Sequence, residues 1–238
     1  MSTTGSLFII SCYFGKKEIE IYPAPLCRNC IFFSNNREYA DQAREKGWIF
    51  EYVAKLVSDN SIVCSIQSKY IKFLGFLNDF ELYRNFSNIL YFDHNLEVSE
   101  THVIQMLDLG RKKKASIYIR EHENLSRTSV WDEIWEAGSQ ERYKKHMDKT
   151  VVFIRKLAEN NNSEFGKVCN TGLILYRNDD RILSFLNEVY ETCVILEQPC
   201  CQIFWSIFSP KYSEFIFTFP FREIFPRNRS WEKLGYFP

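Results

Sequence analysis

The feature that most constrains this chain is a recurring pair: a short apolar run that stops in a polar turn, followed by a stretch with helical spacing. Residues 7–13 (LFIISCY) stop at Phe14-Gly15, residues 29–34 at Asn35-Asn36, and residues 89–92 (ILYF) run straight into Asp93-His94-Asn95. Short apolar runs closed by turn formers suit strands buried in a sheet. Further strands are expected over 48–53, 115–119 and 172–176. Between them lie helical patterns: 38–46 with Gly47 as C-cap, 65–84 (Ile66, Tyr70, Phe73, Leu74, Leu77), 101–109, two helices within 129–160, 181–196 capped by Asp180, and 199–208 with Pro199 near its first turn. Strands alternating with helices predict an α/β fold: a mostly parallel central sheet flanked by helices, in one domain over 1–238. Residues 211–238 read as an aromatic tail packed on that domain. A chain of 238 residues can bury a full core without disulfide or metal staples.

Charge and composition narrow the function. Lys+Arg and Asp+Glu both number 30, so the net charge is zero. That argues against a general nucleic-acid binder or a polybasic membrane-surface protein. No apolar run reaches the ~20 residues that cross a bilayer. The first six residues lack the basic start of a signal peptide, so a cytosol-like compartment is expected. The eight cysteines are scattered, mostly in apolar sequence, and read as reduced thiols. Cys27-x-x-Cys30 has no second pair to complete a zinc site. Aromatic residues reach 16% of the chain, enough to fill a large core or to line a site that stacks flat ligands.

In open parallel sheets, ligands bind outside the carboxyl ends of the strands. Three turns arrive there: Tyr13-Phe14-Gly15, Asn35-Asn36 and Asp93-His94-Asn95. The last sets Asp93 and Asn95 on one side of an extended chain, and hard oxygen ligands suit Mg²⁺ or Mn²⁺ shared with phosphates. A turn after any strand uses the same residues. Lys69 and Lys72, three apart on a helix, could face a diphosphate or simply solvent. The sequence lacks a Gly-x-Ser-x-Gly elbow, a phosphate-binding Gly-rich loop ending in Lys-Ser/Thr, and a Gly-x-Gly-x-x-Gly fingerprint.

Taken in order, Tyr13-Phe14-Gly15, the run from Ile31 to Asn35, Gly47-Trp48, Lys69 and Lys72, and Tyr91 through Asn95 resemble a GT-A-fold glycosyltransferase-like family of plants and bacteria, formerly known as a domain of unknown function. They also resemble small glycosyltransferases of large algal viruses. Downstream, His122 with Arg127, Asp132-Glu133, Glu136-Ala137 and Cys200-Cys201-Gln202 follow the family's order. The resemblance covers about residues 7–210 and implies a GT-A-like fold. It also implies transfer of a sugar from a nucleoside-diphosphate donor, such as a UDP-sugar, to a glycan hydroxyl.

On that resemblance Tyr13, Phe14, Gly15, Asn35, Lys69, Lys72, Asp93, His122 and Arg127 would bind the donor. Asp93, Asn95 and His94 would hold Mn²⁺ or Mg²⁺. Glu133, with Asp132 as second choice, would be the base that takes the acceptor's proton. Asn170, Thr171, Gly172 and Gln202 would meet the sugar or acceptor. Three departures stand out: Asn35 replaces an acid, His94 replaces a small residue, and Cys201 replaces a late acid. Two rival readings stay open: a metal-independent transferase using Lys69, Lys72 or Arg127, and a non-catalytic nucleotide-sugar or glycan-binding module.

Overall fold

The computed structural model describes residues 6–75, 86–122, 129–161 and 165–228. Seven strands form the central sheet: β1 (Leu7–Cys12), β2 (Cys30–Ser34), β3 (Ile49–Tyr52), β4 (Asn88–Phe92), β6 (Ile117–Glu121), β7 (Cys169–Arg177) and β8 (Ile216–Phe219). Their spatial order is β3-β2-β1-β4-β7-β6-β8, and β5 (Leu96–Glu97) pairs separately with β9 (Arg227–Asn228). All the sheet strands run one way except β7, which is antiparallel to both β4 and β6. The sheet is therefore mostly parallel, as expected.

Both faces of the sheet are covered. Within β1, Phe8, Ile10 and Cys12 pack into one core and Ile9 into the other; β4 divides Ile89 and Tyr91 from Leu90 and Phe92 in the same way. Strand side chains alternate between faces, so a strand buried on both sides must be apolar throughout. This is why the strands read as continuous apolar runs. The larger core is closed by α2 (Ser61–Tyr70), α4 (Val130–Gly138), α7 (Leu183–Ile195) and α8 (Cys201–Phe208); α1 (Ala40–Glu45) and α3 (Glu100–Lys112) cover the other face. Two more helices, α5 (Glu141–Lys144) and α6 (Met147–Asn161), follow α4, so the 129–160 stretch holds three helices. Much of the aromatic content is core. Trp205 lies 4.7 Å from Phe185 and 6.3 Å from Phe73, and Trp48 lies 5.7 Å from Phe92, centroid to centroid.

Local chemistry sets the helix starts. Asn60 accepts from the Ile62 amide at 2.9 Å, and Ser129 exchanges bonds with Asp132 across the first turn of α4. The expected Asp180 cap is instead Asp179, whose Oδ1 accepts from the Arg181 amide at 3.1 Å. Gly47 takes φ +82° after α1, the left-handed geometry that suits glycine beyond a helix end.

Two regions depart from the sequence expectation. Part of the C-terminal segment enters the sheet: β8 pairs in parallel with β6 as an edge strand. The 65–84 helix starts earlier, at Ser61, and from Ile71 to Gly75 widens into a buried π-helical turn. A π turn leaves backbone groups without their usual helical partners, and the Tyr176 hydroxyl meets the Lys72 carbonyl at 3.1 Å. The remainder of that expected helix, Leu77 included, lies outside the described residues. The disulfide-free reading of the cysteines agrees with the structure, where all eight are free and six are buried.

Candidate active site

Because β7 runs against its neighbours, its first residues lie at the same sheet edge as the last residues of β1, β2, β4 and β6. That edge gathers Tyr13-Phe14-Gly15, Asn35, Asp93-His94-Asn95, His122 and Asn170-Thr171-Gly172. β7 also parts from β6 here. Ile119 pairs with Ile174, but the next residue, Arg120, pairs with Asn170 instead of Leu173. The slack is taken up on the β4 side, where the Asp93 amide donates to the Gly172 carbonyl at 2.9 Å. A bulge of this kind re-aims a strand where a site is built.

Asp93 is the centre. Its Oδ1 is 2.9 Å from the Lys72 ammonium and accepts the Tyr91 hydroxyl at 2.6 Å. The Lys72 ammonium also sits 4.8 Å from the centre of the Tyr91 ring. Lys72 is 1% exposed, whereas Asp93 keeps 35% of its side-chain area open. Burial opposes the Asp93 charge, but Lys72 and then Lys69 outweigh it and hold the carboxyl well below the usual range. Lys69 is half-buried in the last turn of α2. Burial works against its ammonium, yet Cys201, Asp93 and Tyr143 nearby hold its pKa above the ordinary lysine value. A Cβ on Gly172 would stand 3.2 Å from Asp93 Oδ2 and 2.9 Å from Asn170 Oδ1. The missing side chain is what lets the strand pass this close to the carboxylate.

The neighbouring expected residues divide into several groups. His94 stacks at 4.7 Å on Tyr13, which meets Tyr39 edge-on at 5.5 Å. Burial, reinforced by Lys69 and Lys72 and opposed by Asp93, lowers the His94 pKa to about 4, so its ring is neutral near pH 7. Phe14, expected beside a nucleobase, is instead 2% exposed and belongs to the core. Gly15 has φ +127°, a geometry that strains other residues, and its amide donates to Asn35 Oδ1 at 3.2 Å. Asn35 Nδ2 donates to the Leu56 carbonyl at 2.8 Å and to Gln67 Oε1 at 3.1 Å. Asn35 thus ties the first loop to the 56–67 segment, using its amide on protein partners.

Further along, Asn170 Oδ1 accepts from the Gly172 amide at 2.9 Å and from the buried Arg120 guanidinium at 3.2 Å. Thr171 Oγ1 lies 3.3 Å from Cys201 Sγ, in the first turn of α8, and half-buried Gln202 follows. Glu133 is 3% exposed and accepts from the Cys200 thiol at 3.4 Å. Asp132 serves the N-terminus of α4, with Oδ2 accepting from the Ser129 hydroxyl at 2.7 Å and from the Ser129 amide at 2.9 Å. His122 is 5% exposed at the end of β6. Arg127 lies outside the described residues.

Two residues were missed from the sequence. Tyr91 carried a usable signal: it stands two before Asp93 in an extended run, hence on the same face. Arg120 stands in the charged run with Glu121 and His122 that follows a strand candidate, but its burial in the sheet is set by the bulge and by its stacking 4.7 Å over Phe221.

Among the described residues no divalent-cation site is preformed. One oxygen of Asp93 is already taken by Lys72 and Tyr91. No group of three His, Cys, Asp or Glu residues among those described converges on one point. A metal ion would also have to lie beside two lysines, so the arrangement suits an anion better.

No protein-family model matches the sequence, and no curated protein matches it. Solved structures do resemble the chain in backbone arrangement. Mouse xyloside xylosyltransferase 1, in its apo form, aligns with 90% of this chain and 85% of its own, at 11% identity and a TM-score of 0.49. Core-mannan synthase A from Aspergillus fumigatus, in a Mn/GDP form, aligns with 95% of this chain and 75% of its own, at 10% identity and a TM-score of 0.47. A glycosyltransferase involved in glycosylation of the major capsid of PBCV-1 aligns with 79% of this chain and 67% of its own, at 12% identity and a TM-score of 0.38. These are similarities of backbone arrangement alone.

Proposed function

We propose that the chain is a glycosyltransferase that moves a sugar from a nucleoside-diphosphate donor, a UDP-sugar first among them, to a hydroxyl of a glycan. The observation that carries this reading is the placing of Lys69 and Lys72 against Asp93 at the carboxyl edge of parallel strands. Breaking a glycosidic bond to a nucleoside diphosphate leaves negative charge on the departing phosphate. A fixed cation open to that charge, Lys69 here with Lys72 buried behind it, lowers the barrier. The half-exposed Tyr13, packed against His94, offers an aromatic surface beside the same edge for a base.

In this reading Gly172 keeps the cleft open next to Asp93, Asn170 and Gln202 address the sugar or acceptor, and Glu133 takes the acceptor's proton. A non-catalytic binding module is favoured by one observation: Glu133 is buried and engaged by the Cys200 thiol. The test is incubation with a panel of nucleoside-diphosphate sugars while nucleotide release is followed, with and without simple glycosides as acceptors. Slow donor hydrolysis that acceptor accelerates supports the transferase. Binding without release supports the module, and no binding of any nucleotide defeats both readings.

A further inference from the structure

A divalent-ion site needs surplus negative charge, and the described charged groups around Asp93 carry the opposite. Asp93 supplies one carboxylate, and Lys72, 1% exposed and 2.9 Å away, cancels it. Among the described residues the Lys72 ammonium has no other polar partner, so the carboxylate is its counter-ion. Lys69 adds a second ammonium, half-buried, which makes no ion pair among the described residues. Together the three groups hold one more positive charge than negative. The π turn beginning at Ile71 belongs to the same arrangement, because it carries Lys72 into the core one turn beyond Lys69. Lys72 cannot reach a ligand, whereas Lys69 is open enough to do so.

Resting on the nucleotide-sugar reading, we propose that Lys72 stands where a divalent ion would otherwise balance Asp93, that Lys69 receives the diphosphate, and that nucleoside-diphosphate binding here needs no metal ion. The donor's phosphates then meet a protein ammonium directly, as a charge-assisted hydrogen bond. Asp93, already neutralised, has little left to offer a cation and orients Lys72 and Tyr91 instead.

The test is calorimetric titration of the full chain with UDP, and with GDP as a second probe, in excess EDTA and in saturating MnCl₂. The expected result is affinities that agree within about twofold. Electron paramagnetic resonance should show the free Mn²⁺ signal unchanged by protein, with or without UDP. Lys69→Gln should weaken UDP binding in EDTA by about tenfold, the scale of a lost hydrogen bond to a charged group. Lys72→Met uncovers the Asp93 carboxylate, so UDP binding should fall in EDTA and be partly restored by Mn²⁺. If that variant does not fold, the wild-type comparison and Lys69→Gln decide alone. UDP binding that falls by more than about tenfold in EDTA, or a Mn²⁺ signal that the protein quenches beyond what UDP alone does, overturns the inference and leaves the transferase reading intact. Failure of both UDP and GDP to bind in either condition overturns the two together.

Discussion

Asp93→Asn removes the counter-ion of Lys72 while keeping the side chain's size. The burial of Lys72 makes this a change that costs stability. Lys72 is 1% exposed, and the Asp93 carboxylate is its sole polar partner among the described residues. Leaving a charge buried after its partner is removed costs about 3–5 kcal/mol. The asparagine carbonyl returns about 1 kcal/mol as a neutral hydrogen bond. The net loss is then about 3 kcal/mol, a fall in Tm of roughly 6–12 °C for a chain of this size. Urea and thermal unfolding of wild type, Asp93→Asn and Asp93→Asn/Lys72→Met measure it. The double variant buries no charge and should recover most of the loss. A single variant within about 1 kcal/mol of wild type, with no gain from the second change, would refute the reasoning.

Gly172→Ala places a methyl 2.9 Å from Asn170 Oδ1 and 3.2 Å from Asp93 Oδ2, so the edge must shift, and nucleotide affinity should fall at least about tenfold by calorimetry with the fold retained. Glu133→Gln should cut turnover by about 10²–10⁴-fold with donor affinity little changed, whereas Asp132→Ala should cost about 1 kcal/mol of stability and leave turnover near normal. Steady-state kinetics on both variants separates the base from the cap. His94 stays neutral in the fold down to about pH 4, while an unfolded histidine protonates near 6.5; the unfolded state therefore binds more protons between these values, and stability falls as pH drops through that window. Wild type should accordingly lose more stability than His94→Asn between pH 7 and pH 5, and equal losses would remove His94 from its buried position. Asp93 acts at lower pH: its depressed pKa means its contribution is complete above the usual carboxylate range and is lost progressively as the pH falls below that range toward its folded pKa.

The strands were legible in the sequence because a sheet covered on both faces admits almost nothing but apolar residues. Residues 7–13, 29–34 and 89–92 announce β1, β2 and β4 without any knowledge of their neighbours. Helix starts at Ser129 and the C-cap at Gly47 were equally local, set by hydrogen bonds within a few residues. Turns after strands pointed to one common edge, since a mostly parallel sheet brings those turns together. What the sequence could not express was direction and depth. That β7 runs backward, and so delivers Asn170 and Gly172 to Asp93, depends on pairings more than 75 residues apart in the chain. That 216–219 joins the sheet depends on the open edge of β6. Two lysines three residues apart look alike in a sequence. Only the π turn and the packed core decide that Lys72 is buried against Asp93 while Lys69 stays partly open, because the charge that makes burial of Lys72 tolerable comes from another strand.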